Sequence, residues 1–403
     1  MHKTLCLPSA SDSQRFSGGV TPPRPRALQG LGLVASLAML SAGCGSGDMV
    51  STRTLEDLFL ARADLVIGAA PKAVLINDFD GDGKPDMVAA RATGSGSLSM
   101  LIGRGNSTFA RAEINNRFGD TPFDLVLADL DGDGRTDAAT PCYLGGELAV
   151  LWGADAQDRL AIPSEGSHPY ALIAKDLDGR NGQDLITTTQ VGKTLNVFLN
   201  QGSRTFGAAV KYTFDTPPAG FAVGDFDGSG ASSLDVAVSL PGSNKVRLWP
   251  GNGSGGFDTN LATDLSVGKN PITVVAGLLN EDSLPDLVVA NAGERTISVL
   301  LGSSAGFGSA QTYPVGDNPT GIAIADLDQD GKADVVVTNR SSNNLTILRG
   351  MGGGMLKSLG ELATREQPEG VAIGDVTSDG VPDIAVANVD ADVISVFAGR
   401  VKK

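Results

Sequence analysis

Asp78, Asp80, Asp82 and Asp86 stand at positions one, three, five and nine of a nine-residue segment whose sixth residue is Gly83. Odd-numbered carboxylates in so short a loop can turn inward together, a main-chain carbonyl at position seven can join them, and glycine at position six permits the sharp bend. Calcium takes six to eight hard oxygens at flexible geometry, and carboxylates crowded this closely repel one another unless a cation or protons intervene. The set is complete again at Asp129, Asp131, Asp133 and Asp137, and at Asp326, Asp328, Asp330 and Asp334. Lys84, Arg135 and Lys332 would supply the carbonyl at position seven in these three copies. Asp375, Thr377, Asp379 and Asp383, with Val381 at position seven, form a fourth set expected to bind more weakly.

Three further copies depart from the pattern. In Asp176, Asp178 and Asp184 the fifth position is Arg180, whose guanidinium could take the place of an ion. The copy opening at Asp225 carries a two-residue insertion between Ser229 and Asp235, and the copy closing at Asp286 has Leu278 in place of its first aspartate. For these three the plainer reading is favoured, that Asp and Gly make Asx-turns and nothing more. An EF-hand is excluded throughout, since it needs Glu at position twelve and flanking helices, whereas position twelve here is Ala89, Thr140 or Val337.

The elements that position these turns follow from their spacing. A proline precedes each turn by seven residues, at Pro71, Pro122, Pro169, Pro218, Pro271, Pro319 and Pro368. The closing aspartates Asp86, Asp137, Asp184, Asp235, Asp286, Asp334 and Asp383 are 51, 47, 51, 51, 48 and 49 residues apart, a period of solenoids and propellers. Gly 53 with only 5% aromatics suits many short strands joined by tight turns. The first repeat reads as strands Ala73–Asn77, Met87–Arg91, Ser97–Gly103 and Phe109–Asn115, the acidic turn joining the first two. The last repeat has only three, Val371–Gly374, Ile384–Asn388 and Val393–Ala398, and the segment Leu58–Gly68 is the missing fourth. The fold expected is therefore all-β, a seven-bladed propeller of four-stranded blades over residues 56–403, closed by an N-terminal strand that completes the last blade and leaves no free edge.

The run Asp78 to Ala90, D-F-D-G-D-G-K-P-D-M-V-A-A, resembles FG-GAP and VCBS repeats, the family that includes the propeller of integrin α subunits. The resemblance implies calcium in the turns on one face and ligands on the opposite face. The loops carried to that face include Arg91–Gly96, Cys142–Gly146, Val191–Lys193, Arg340–Asn344 and Val389–Asp392, rich in Ser, Asn and Gly with isolated Arg.

Residues 1–43 read separately. Arg24 and Arg26 precede the apolar run Leu31–Leu40, too short for a membrane span, and Leu40-Ser41-Ala42-Gly43-Cys44 resembles a bacterial lipoprotein signal. The resemblance implies cleavage after Gly43, lipid on Cys44, a tether over residues 44–55, and an outer-membrane or cell-surface address because Gly45 follows the cysteine. Without residues 1–43 the chain holds 27 basic residues against 45 acidic ones, a balance of −18. Such a surface speaks against nucleic acid and for bound cations. Cys142 would be left without a partner for an internal disulfide, and calcium is expected to brace the fold instead.

Little in the sequence suggests catalysis. His168 would be the only remaining histidine, and its place before Pro169 suits a strand entry. Gly302-Ser303-Ser304-Ala305-Gly306 matches G-x-S-x-G, but it aligns with the hairpin turns Gly103–Thr108 and Gly251–Gly256, whereas a nucleophile elbow needs a strand followed by a helix. The function expected is a monomeric, calcium-binding adhesion module for a glycan or protein partner. A polysaccharide lyase and an envelope scaffold are the alternatives; a lyase requires Arg, Lys or Tyr with acids at the central mouth.

Overall fold

The structure is a computed structural model that describes residues 4–6, 54–93, 96–105, 107–114, 119–153, 159–230 and 233–401. Cys44 and most of the segments read as signal and tether lie outside these residues. The alternation of apolar residues and turns builds seven antiparallel sheets, the blades of a propeller. The first strand of each blade packs on the first strand of the next, and Pro368–Gly374 packs back on Pro71–Asn77, so the ring of inner strands is closed. Among the described residues no helix is long and apolar enough to cross a membrane.

Core formation follows from stacking. The second strands, such as Asp286–Asn291 and Asp334–Asn339, are buried along their whole length because each is covered by a neighbouring blade on either side. One cluster joins Leu65, Ile394 and Val396 of the last blade to Val74, Met87, Leu101 and Phe109 of the first. Ala63–Val66 pairs antiparallel with Val393–Phe397, Ala63 opposite Val396. That strand is shorter than the segment Leu58–Gly68 read from the sequence: Leu55–Leu58 is a helical turn, and Phe59 makes only an isolated bridge to Gly399. Thr54 caps the turn, exchanging hydrogen bonds with Asp57, which accounts for the helix there. Thr4–Cys6 pairs with Thr108–Ile114, so the first sheet has five strands rather than four.

The prolines mark a corner that spacing alone did not reveal. In six of the seven blades the residue before the proline is left-handed: Ala70, Thr121, His168, Asn270, Asn318 and Gln367, with φ between 52° and 63°. Residues before proline ordinarily take extended backbone, and for β-branched Thr121 this conformation is strained. The kink is held because each carbonyl accepts an N–H from just beyond the second strand, as in Tyr143 to Thr121 at 2.9 Å and Arg340 to Asn318 at 3.0 Å. In five blades the pairing register then slips immediately after the proline. Bulges of this kind turn a side chain out of the regular alternation, and in these five blades the residue after the proline lines the central cavity.

Candidate functional site

The acidic turns end the first strands, so all of them lie on one face. Their best-determined member is the closing aspartate. Asp86 accepts the Phe79 N–H at 3.0 Å through one oxygen and the Gly103 N–H at 2.8 Å through the other. Asp137 does the same with Leu130 at 2.8 Å and Gly153 at 2.7 Å, and Asp334 with Leu327 at 2.9 Å and Gly350 at 2.8 Å. All seven closing aspartates make such a pair; in the last blade Asp383 takes the Thr377 and Gly399 N–H groups. Each buried carboxylate thus clips its own turn to the backbone at the end of strand three. Burial pushes the carboxyls of Asp137, Asp184, Asp334 and Asp383 up to about 6 against the pull of these donors. A cation beside them would draw the values back down.

Around this clip the first and third carboxylates converge. Oxygens of Asp78, Asp80 and Asp86 lie within 4.8 Å of one another, as do those of Asp129, Asp131 and Asp137, and of Asp326, Asp328 and Asp334. These groups could hold a hard cation, and calcium fits their all-oxygen character.

The geometry of the turns bears on four sequence expectations. First, the fifth-position carboxylates Asp82, Asp133, Asp330 and Asp379 turn back onto their own loops. They accept the N–H of Lys84, Arg135, Lys332 and Val381 at 2.9, 2.8, 3.0 and 3.0 Å, and none joins a three-carboxylate group. Second, the third and fourth copies do assemble, as Asp176, Asp178 and Asp184 and as Asp225, Asp227 and Asp235, and in the fourth Asp235 still clips Phe226 and Gly251 despite the insertion. Third, Arg180 is exposed and replaces nothing. Fourth, the last turn, read as the weaker set, has Thr377 at its third position, and no three-carboxylate group forms there among the described residues. The guanidiniums that do reach the turns come from elsewhere: Arg204 of the third blade contacts Asp131 at 2.7 Å, and Arg349 contacts both Asp328 and Asp330 at 2.8 Å. Sequence spacing carried no sign of either, since the pairs join separate hairpins.

On the opposite face the inner strands begin, and they surround a cavity of about 440 Å³. The Lys72 Nζ lies 2.7 Å from a Glu369 oxygen, and the Arg340 guanidinium reaches the same carboxylate at 3.0 Å; Lys72 and Glu369 are only 13% and 12% exposed. Lys72 also sits 5.0 Å above the Phe123 ring. Phe123 packs at 4.8 Å on Tyr170 and at 5.4 Å on Tyr143, which lies 4.6 Å from His168. Asp124 faces the cavity, enclosed by protein on its other sides. It accepts the Leu172 N–H at 2.9 Å and the Leu125 N–H at 2.8 Å, and burial pushes its carboxyl up to about 6. Burial, then the charges of Glu369 and Asp124, push the Tyr170 phenol upward. The sequence had drawn notice to His168 and had placed Tyr143 and Arg340 in loops of the ligand face, whereas Lys72, Phe123, Asp124, Tyr170 and Glu369 were not singled out. For Lys72, Phe123, Tyr170 and Glu369 the available signal was their shared place directly after the repeat proline.

Ser303 is exposed in a loop with no helix after it, its hydroxyl 2.7 Å from the Gly306 carbonyl, as the hairpin reading of that motif expects. Cys142 is buried, makes no disulfide among the described residues, and has its thiol pushed up to about 12 by that burial.

The family model for the FG-GAP-like repeat matches residues 78–140, 279–337 and 326–386. Each match opens at or beside an acidic turn and runs into the next blade. No curated protein matches the chain. Among solved structures, virginiamycin B lyase from Staphylococcus aureus aligns at 13% identity over 84% of this chain and 99% of its own, with a TM-score of 0.58. BBS1N, solved in complex with ARL6DN, aligns at 12% identity over 85% of this chain and 96% of its own, with a TM-score of 0.60. At such identities the likeness is one of fold. The chain is a seven-bladed propeller that carries FG-GAP-like repeats.

Proposed function

We propose that the protein is an exported propeller, braced by calcium and anchored through lipid on Cys44, that binds a glycan or protein partner and leaves it chemically unchanged. The observation that supports this is the division between its two faces. Carboxylates gather in the turns of one face, away from the cavity, where a cation would stiffen the blade. Mixed donors, acceptors and aromatic rings converge on a cavity in the other, which is the general form of a binding site. An acidic chain of net charge −15 is a poor match for nucleic acid.

A lyase is the second reading, because Lys72, Arg340 and Tyr170 do meet the acids Asp124 and Glu369 at the mouth, and one fold neighbour is a lyase. The chemistry there favours binding. Lys72 and Arg340 are already committed to Glu369, and a phenol pushed upward stays protonated at neutral pH, so little phenolate is present to act as a base. The test is retention of the protein on immobilised bacterial polysaccharides and envelope proteins in calcium, with the eluted partner analysed for cleavage. Retention with an intact partner is expected. New chain ends carrying a double bond would move the assignment to a lyase.

A further inference from the structure

The residues that follow the repeat prolines occupy equivalent positions, yet their chemistry is divided round the ring. Phe123 and Tyr170 form an aromatic wall on blades two and three, while Lys72, Glu369 and Thr320 supply polar groups on blades one, seven and six. The wall is a concentration of scarce residues, for the chain has only four tyrosines and Tyr143 and Tyr170 both belong to this cluster. The His168 Nδ1 behind it is buried with no hydrogen-bond partner.

The charges at the mouth are already paired. Glu369 is shared by Lys72 and Arg340, and Asp124 is held by two main-chain N–H groups. An ionic ligand would have to break a largely buried pair and leave one member uncompensated, which is costly. A neutral ligand with many hydroxyls can donate to Glu369 and Asp124 and accept from Lys72 and Arg340 without separating them. Its less polar face can lie on the aromatic wall, where rings give contact area at small entropic cost. A second hollow of about 430 Å³ adjoins the cavity through Asn318 and Arg340 and continues over Asn343, Gln367 and Asp390 between blades six and seven.

We propose that the channel mouth holds one unit of a neutral saccharide, with its ring against Phe123 and Tyr170, its hydroxyls spanning Lys72, Glu369 and Arg340, and its chain leaving along the hollow between blades six and seven. This rests on the binding reading above and names the ligand class and the residues.

The experiment is calorimetric titration of the full chain in calcium with neutral gluco-, galacto- and manno-oligosaccharides, and with uronic-acid oligosaccharides of equal length. It is repeated on Phe123→Ala, Tyr170→Phe and Lys72→Met, each first shown to keep its melting temperature. Saturable binding of a neutral series is expected, weakened about tenfold or more by Phe123→Ala and by a smaller factor in Tyr170→Phe. Binding of a neutral series that all three variants retain would overturn the site while leaving the protein a glycan binder. Preference for the uronic-acid series would overturn the ligand class. A blank with every sugar, from protein that still captures a protein partner, would overturn this inference alone; a blank with both would remove the binding reading as well.

Discussion

The turns of blades one and five have the same shape and different contents. In blade one, Asp78 accepts the Gly81 and Gly83 N–H groups at 2.9 Å, and with Asp80 and Asp86 it forms a three-carboxylate group. In blade five the first position is Leu278, 51% exposed, and no such group forms. Yet Asp286 holds the Leu279 and Gly302 N–H groups at 2.8 Å, much as Asp86 holds Phe79 and Gly103. Asn280 likewise accepts the Asp282 N–H at 3.1 Å, as Asp80 accepts that of Asp82. The turn is therefore made by its closing aspartate and local hydrogen bonds, and the convergent carboxylate set is a separate layer placed on top of it.

If that separation is right, the largest effect comes from removing the layer everywhere at once. Each group held at free calcium about 100 times its dissociation constant adds about 2.7 kcal/mol to stability. Chelation is expected to lower the melting midpoint by several degrees or more, fully reversed by added calcium and not by magnesium, which demands stricter octahedral geometry. A melt unchanged by EDTA would show that these carboxylates carry no structural ion.

The next effect separates the two layers within single blades. Asp286→Ala leaves the N–H groups of buried Leu279 and of Gly302 without their acceptor. At about 1–3 kcal/mol for each, the loss is about 2–6 kcal/mol, the same with and without calcium. Asp129→Ala leaves the Asp137 clip intact and exposes only loop N–H groups that water can satisfy. Its cost is expected to appear in calcium and to vanish in EDTA. Urea unfolding of both variants under both conditions makes the comparison, and a calcium-dependent loss in Asp286→Ala would refute the division.

The same separation explains what the sequence disclosed. Seven prolines and seven aspartates at a constant offset revealed the blades, because each repeat must place one inner strand and one clip in the same way. Spacing also located the first and third carboxylates, which act within their own turn. It did not foretell the orientation of the fifth, since Asp82 and Asp133 look identical in type to the convergent aspartates and differ only in pointing at their own backbone. It undervalued blades three and four, where the clip holds the turn despite Arg180 and despite the insertion before Asp235. Of the charged residues at the channel mouth, it placed only Arg340, which opens a loop. Lys72, Phe123, Tyr170 and Glu369 are scattered over 298 residues and meet only because the ring closes, and their aim depends on a left-handed residue before proline that local propensity does not favour.

The smallest effect is the most specific to the pair of turns. Leu278→Asp restores the missing carboxylate in blade five, beside Asn280, Asp282 and Asp286. The leucine is half exposed, so little core packing is lost, and without calcium the added charge should destabilise by about 1 kcal/mol or less. In calcium the variant is expected to bind one more ion per chain than the parent by calorimetry, with its stability deficit erased. If the count does not rise, the first carboxylate is not what divides the two turns. Asn280 then becomes the limiting residue, because a neutral amide oxygen replaces the charged one that Asp80 presents, and Leu278→Asp combined with Asn280→Asp should add the ion that the single change does not.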